Sequence, residues 1–150
     1  MITLTFAIFA KRKDMTAEQI LKKYGIKKTV CRKCILDKLI ESENTALTES
    51  EITDAFADLF DRVTFYRSLK TLEESKVIHR IVLNNTSVKY ALSEHLVLAK
   101  VHPHFHCTIC DKVTCLDSSF LDKEVDFPAG YKVESAQILL EGICADCQKK

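Results

Sequence analysis

The stretch DRVTFYRSLKTLEES, residues 61–75, decides the fold class. Asp61 can cap the helix that begins at Arg62, because a short side chain with an oxygen acceptor satisfies the first free backbone amides. The apolar residues of the stretch recur at helical spacing and predict its buried side: Phe65, Leu69 and Leu72. The opposite side carries a polar ridge, which consists of Thr64, Arg67, Ser68 and Thr71.

The period of the apolar pattern changes from 3.6 to 2 directly after this helix. Residues 77–83 and 86–92 read as two strands, and Asn84-Asn85 lies between them. Asparagine tolerates the positive φ that a tight hairpin turn requires. The pattern therefore predicts one helix followed by one β-hairpin.

Helices are also predicted before residue 61. Capping boxes at Thr16/Gln19 and Thr48/Glu51 open two of them, and a third covers residues 29–42. The buried stripe of the helix after Thr48 is predicted as Ile52, Ala55, Phe56, Leu59 and Phe60. Helices followed by a hairpin form the order of a winged helix-turn-helix, in which residues 62–75 are the recognition helix and the hairpin is the wing.

Composition and charge indicate two modules in an ordinary globular chain of 150 residues. The net charge is +1, which argues against a polybasic nucleic-acid tail. Residues 1–93 carry 16 basic and 12 acidic side chains, and residues 94–150 carry 6 and 9. We predict an α+β protein with an N-terminal extension at 1–15, a winged-helix domain at 16–93 and a second, α/β domain at 94–150.

The N-terminus favours a cytoplasmic protein without a membrane role. Residues 2–10 are apolar, but a membrane-spanning helix needs about 20 such residues. Basic residues follow this run, whereas a secretory signal carries its positive charge before it. A start at Met15 instead of Met1 is an open alternative, because Met15 directly precedes a helix cap.

Seven cysteines are the strongest compositional signal, and six of them form three C-x-x-C pairs. An odd count in short pairs suits metal binding in a reducing compartment better than disulfides. Two pairs can complete a tetrahedral zinc site without an open position, which makes the site structural: Cys107, Cys110, Cys144 and Cys147. The third pair, Cys31 and Cys34, is interpreted as buried helix residues, with a metal or redox role as the alternative.

Four segments together resemble the ferric uptake regulator family of metal-responsive transcription factors. The segments are GIKKTVCR at 25–32, RVTFYRSL at 62–69, HPHFHCTIC at 102–110 and GICADC at 142–147. The resemblance implies a winged-helix DNA-binding domain, a hinge, a dimerising C-terminal domain, a structural four-cysteine zinc and a separate sensory metal site.

The sensory site departs from the family pattern. The family's ligand positions look in this chain like Ala46, Ala91, His102, His104 and Cys115, so two are alanines and one is a thiol. We predict a sensory site of His102, His104 and Cys115, completed by His95 or Glu94, with Zn²⁺ favoured over Fe²⁺. The alternatives are a histidine cluster without metal and an oxidisable site that senses peroxide.

The predicted DNA partner is a duplex with an inverted repeat, bound by a homodimer. Arg67 can donate to guanine, and Tyr66 can contact thymine methyls or a phosphate. The residues expected to touch DNA are Lys27, Arg32, Arg62, Thr64, Tyr66, Arg67 and Lys89. We expect a repressor rather than an enzyme. The alternative is a redox-active or protein-binding zinc protein without sequence-specific DNA binding.

Overall fold

The computed structural model describes residues 15–84, 86–93, 102–116, 128–134 and 136–149, and it has the predicted α+β class. Its helices are α1 (Ala17–Lys23), α2 (Val30–Glu41), α3 (Glu49–Thr53), α4 (Arg62–Glu74) and α5 (Ala145–Gln148). Its strands are β1 (Thr45–Thr48), β2 (Ile78–Leu83), β3 (Ser87–Leu92), β4 (Pro103–Cys107), β5 (Val113–Cys115) and β6 (Ile138–Gly142). The extension at 1–14 and the interdomain boundary at 94–101 lie outside the described residues, as do residues 119–125, for which the sequence also predicts a short helix.

Side-chain caps start the N-terminal helices where the sequence predicts them. Thr16 forms a capping box with Gln19, and Thr48 forms one with Glu51. The carboxylate of Asp61 accepts a hydrogen bond from the backbone amide of Thr64, which fixes the start of α4. These caps satisfy amides that a helix leaves without internal partners, so α1, α3 and α4 begin at defined residues.

The main hydrophobic core lies among the helices and one side of the hairpin. Helix α2 packs against α1 and α4, and its inward residues Ile35, Leu36 and Leu39 are buried. Phe65, Leu69 and Leu72 of α4 join them, as the helical spacing predicts. Each such side chain stabilises the fold by about 1.5–3 kcal/mol relative to an exposed one, so this core orients α4.

Helix α3 is shorter than the apolar pattern predicts. It ends at Thr53, and turns follow it as far as Phe60. Leu59 is 66% exposed and Ala55 is also exposed, so the predicted buried stripe is wrong for these two residues. Aspartates at 54 and 58 favour turns over helix, because their side chains compete for backbone hydrogen bonds.

One six-stranded sheet runs through both halves of the chain, in the order β2-β3-β1-β5-β4-β6. The short strand β1, which the sequence analysis missed, joins the two halves. Its residues Leu47 and Thr48 pair with β3, whereas Thr45 and Ala46 pair with β5. Three strands separate β2 from β4, which is roughly 19 Å in a flat sheet. His79 of β2 and His104 of β4 nevertheless touch, with their Nε2 atoms 3.0 Å apart. The sheet must therefore fold over at β1.

A second, smaller core fills this fold. Its buried members are Ala46, Ile81, Leu83, Ala91, Val113 and Cys115, with Leu139 of β6 packed against them. Gln137 also forms two hydrogen bonds with the backbone of Val82 in β2. The Val82 amide donates to Gln137 Oε1 at 3.1 Å, and Gln137 Nε2 donates to the Val82 backbone oxygen at 3.0 Å. The wing is thus held against the C-terminal strands. The sequence pattern also predicts a strand over residues 131–140, whereas the observed strand β6 begins at Ile138.

Candidate metal centres and nucleic-acid interface

The first candidate metal centre is the four-cysteine cluster that the C-x-x-C spacing predicts. Strand β4 runs parallel to β6 with Cys107 opposite Gly142, so the two pairs lie side by side at the ends of neighbouring strands. The four Sγ atoms all lie within 4.8 Å of one another: Cys107, Cys110, Cys144 and Cys147. Four thiolates at this spacing suit a tetrahedral zinc ion without an open position.

The backbone around this cluster favours a thiolate at one position. Amide hydrogen bonds from Cys110 and Cys144 lower the pKa of Cys107 to about 6, and the Cys144 nitrogen lies 3.3 Å from the Cys107 Sγ. Neighbouring thiols, Cys144 first, and burial raise the pKa of Cys147 to about 12. Four close sulfurs therefore resist joint ionisation on their own. A divalent cation would compensate their charge, so this donor set fits zinc.

The second candidate metal centre is partly buried in the fold of the sheet. Its donor atoms also lie within 4.8 Å of one another, and they belong to His79, His102, His104 and Cys115. His104 and Cys115 are directly opposed on β4 and β5. The Nε2 atom of His79 lies 3.0 Å from the Nε2 of His104 and 3.9 Å from the Sγ of Cys115.

Three of these residues were predicted from sequence, and His79 was missed. The two candidates for the remaining ligand, Glu94 and His95, lie outside the described residues. His79 was missed because no metal-ligand spacing in the sequence links it with the other donors, and only the contact between β2 and β4 brings them together. Leu83 pairs with Ser87, and His79 pairs with Ala91. The register places a histidine across from a position where the family resemblance implies an acidic ligand.

Burial keeps the second cluster in a state that can bind metal. Desolvation first, and then the neighbouring His102, lower the pKa of His104 to about 4. His104 is therefore neutral near pH 7, as a metal-ligating imidazole must be. Among the described residues, the cluster offers three imidazoles and one thiol and no carboxylate. This borderline-soft donor set suits Zn²⁺ better than it suits Fe²⁺.

Lys89 does not lie on the wing surface, which corrects the expectation that it touches a phosphate. It is 4% exposed, and its ammonium group donates to the backbone oxygen and the carboxylate of Asp111. Asp111 also contacts His106, at 2.8 Å, and the other ring nitrogen of His106 lies 3.1 Å from Glu141. These two carboxylates raise the pKa of His106. His106 thus serves an ion-pair network and not the second cluster.

The exposed side of α4 carries the other predicted DNA contacts. Arg62, Thr64, Tyr66 and Arg67 are exposed there, and Lys27 is exposed before α2. Arg32 is half-buried and donates to the Lys27 backbone oxygen and the Thr71 hydroxyl. Arg32 therefore holds the start of α2 against α4. The Thr64 hydroxyl donates to Asp61 at 2.6 Å.

The third cysteine pair lies on α2, beside the recognition helix. Cys31 is buried, and its Sγ lies 3.9 Å from the backbone oxygen of Thr64. Burial raises the pKa of the Cys31 thiol. Cys34 is half-buried. This placement agrees with the interpretation of the pair as packed helix residues.

Comparison with known proteins identifies the family. The model of the ferric uptake regulator family matches residues 23–141. The chain belongs to this family. Its members are transcription regulators, not enzymes. A ferric uptake regulation protein of Campylobacter upsaliensis is 29% identical over 140 residues, covering 89% of this chain and 87% of the relative. The peroxide operon regulator of Bacillus subtilis is 26% identical over 140 residues, covering 89% and 92%.

Solved structures share the fold. The Helicobacter pylori ferric uptake regulator, described as having three functional metal-binding sites, has a TM-score of 0.61 at 21% identity and covers 91% of this chain and 96% of its own. A zinc uptake regulator complexed with zinc and DNA has a TM-score of 0.67 at 20% identity, covering 98% and 97%. Within the described part of this chain, no helix has the length and apolar character that a membrane span requires.

Proposed function

We propose that this family member is a metal-responsive repressor that binds an inverted-repeat duplex as a homodimer in the cytoplasm. The observation that carries the proposal is the second cluster, which joins the wing to the C-terminal strands behind an exposed recognition helix. Its sensory ligands are His79, His102, His104 and Cys115. The four-cysteine cluster holds a structural zinc ion.

The position of His79 explains how metal binding reaches the DNA-binding half. His79 lies on β2 of the wing, whereas His104 and Cys115 lie on β4 and β5. An ion bound to all of them fixes the angle at which the sheet folds over β1. In a dimer joined through the C-terminal strands, this angle sets the distance between the two recognition helices. Only one distance fits half-sites in successive major grooves, which are about 34–36 Å apart.

The recognition helix supplies the sequence-reading contacts. Arg67 donates to the N7 and O6 atoms of guanine, and Tyr66 contacts a thymine methyl. Arg62 and Lys27 contact phosphates. Arg32 supports this surface by holding α2 against α4, and the exposed Thr64 is bonded to the Asp61 cap. Lys89 is left out because it is buried against Asp111.

A metal titration of DNA binding tests the proposal. The protein is first loaded with one zinc ion per chain at the four-cysteine cluster, and a duplex is selected with it from a random pool in the presence of Zn²⁺. Adding further Zn²⁺ should raise the affinity for that duplex at least tenfold, and Fe²⁺ should act more weakly. His79→Ala and Cys115→Ser should abolish the response while the structural zinc remains.

A matched variant tests whether His79 or His95 is the fourth ligand of the second cluster. His95→Ala should respond to Zn²⁺ like the wild type, because His79 completes four donors without it. Loss of the response in His95→Ala but not in His79→Ala would instead support the ligand predicted from sequence. If no duplex is selected at all, the zinc protein without sequence-specific DNA binding becomes the better interpretation.

A further inference from the structure

An acidic side chain lies on the proposed DNA-reading side of the molecule. Glu49 is the first residue of α3, and its Oε2 accepts a hydrogen bond of 2.7 Å from the hydroxyl of Tyr66. Tyr66 lies on α4 and is 39% exposed. The guanidinium carbon of Arg62 lies 5.7 Å from the centre of the Tyr66 ring. Glu49, Tyr66 and Arg62 thus form a continuous row, which we call the tyrosine row.

The carboxylate of Glu49 is not needed to start its helix. Thr48 and Glu51 form the capping box of α3 between them. A negative charge near DNA phosphates opposes binding, since association depends on neutralising those phosphates. The contact with Tyr66 therefore offers a reason for an acid at this position that helix capping does not.

We propose that Glu49 is a positioning residue that turns the Tyr66 hydroxyl away from the DNA backbone and presents the ring to a thymine methyl group. The inference rests on the proposed DNA-binding function. An unrestrained tyrosine can donate to any phosphate, which carries no sequence information. With its hydroxyl bound to Glu49, Tyr66 offers an apolar surface that distinguishes thymine in the major groove. Arg62 stacks on the ring and limits its rotation further.

The position of Arg62 also offsets the charge of Glu49. The Arg62 guanidinium lies over the ring of Tyr66, and the Glu49 carboxylate accepts a hydrogen bond from the hydroxyl of the same tyrosine. The positive and negative charges therefore nearly cancel within the tyrosine row. Glu49 consequently costs some attraction to DNA in general and adds discrimination between sequences. A residue with a merely structural role would strengthen both the general attraction to DNA and the discrimination between sequences. A positioning residue is expected to weaken the first and strengthen the second.

The test compares two affinities for the full-length, metal-loaded protein. One duplex is that selected from a random pool by the wild type, and the other is a scrambled duplex of equal composition. Glu49→Ala should lower the ratio of the two affinities by about two- to tenfold, the range that one hydrogen bond supports. Affinity for the scrambled duplex should rise by about twofold, because removing one negative charge from this surface weakens its repulsion of phosphates only modestly in water.

A conservative variant and a double variant test whether Glu49 acts through the Tyr66 hydroxyl. Glu49→Gln retains an acceptor for the Tyr66 hydroxyl, so it should keep the wild-type ratio. In a Tyr66→Phe background, Glu49→Ala should change the ratio no further, because the shared hydrogen bond is already absent. Glu74→Gln removes an acid at the far end of α4 and serves as the charge control.

Three results would overturn the inference. The first is a wild-type ratio in Glu49→Ala. The second is a changed preference at one base pair in Glu49→Gln, which would indicate that Glu49 reads a base itself. The third is additive effects of Glu49→Ala and Tyr66→Phe. Failure of the wild type to select any duplex would reject the proposed function instead, so the two failures are distinguishable.

Discussion

The buried ion pair between Lys89 and Asp111 gives a prediction in which the two partners are not equivalent. The Lys89 side chain is 5% exposed, whereas that of Asp111 is 73% exposed, and their charged atoms are 3.1 Å apart. Asp111→Asn removes the carboxylate charge and leaves the buried ammonium group with neutral oxygen acceptors only. Lys89→Met instead leaves a carboxylate that water can reach.

The expected costs follow from this asymmetry. Breaking a fully buried pair costs about 3–5 kcal/mol, and an exposed pair contributes about 0–1 kcal/mol. Asp111→Asn should therefore lower the free energy of unfolding by about 2 kcal/mol, which corresponds to roughly 4–8 °C in Tm. Lys89→Met should cost less than about 1 kcal/mol, because methionine replaces most of the buried stem. Asparagine also tolerates the positive φ of 58° at position 111.

Urea unfolding of zinc-loaded protein gives the free energy of unfolding of Asp111→Asn, of Lys89→Met and of the double variant. The double variant should be more stable than Asp111→Asn alone, since removing the lysine removes the uncompensated charge. DNA binding measured against salt supplies a second readout. Lys89→Met should keep the wild-type slope, whereas losing a phosphate contact would reduce it by about 0.9. A reduced slope, or equal costs for the two single variants, would refute this reasoning.

Four further predictions concern separate parts of the molecule. Cys144→Ser or zinc chelation should expose the remaining thiols of the four-cysteine cluster and dissociate the dimer, as thiol titration and sedimentation will check. Gln137→Ala should speed hydrogen exchange at the Val82 amide, which loses its acceptor, while core amides of α4 stay protected. Hydrogen bonds from Thr64 lower the pKa of Asp61, so the stabilisation from this cap should persist above the unfolded pKa and disappear as pH falls through the folded one. Circular dichroism of wild type and Asp61→Asn across that range should converge at low pH. Arg67→Ala should cost about 1–3 kcal/mol of binding to the selected duplex and relax specificity at one base pair in competition assays.

The helical half was predictable because its signals are local. Capping residues such as Asp61 and apolar spacing such as Phe65, Leu69 and Leu72 act within a few residues of one another. The four-cysteine cluster was equally accessible, since the C-x-x-C spacing is a local signal and zinc geometry requires two pairs. The same logic failed for α3, where the capping box identified the start but aspartates in the following turns ended the helix early.

Features that depend on contacts between distant segments could not be predicted from the sequence. His79 is 23 residues before His102 in the sequence, and only the contact between β2 and β4 brings it to the other donors, so it was absent from the predicted ligand set. Strand β1 exists because β3 and β5 both pair with it. Lys89 was placed in solvent because a hairpin considered alone has an open face, whereas Asp111 covers this one.

The division of β1 between two partners has a consequence for cutting the chain. A fragment that stops at Ser93 retains α1–α4 and the wing but lacks β5, so Thr45 and Ala46 lose their strand partners and Ile81 and Leu83 lose part of their apolar cover. An open strand edge next to an apolar surface is the usual starting point for self-association. Shortened versions of this chain that lack the C-terminal strands are therefore expected to self-associate.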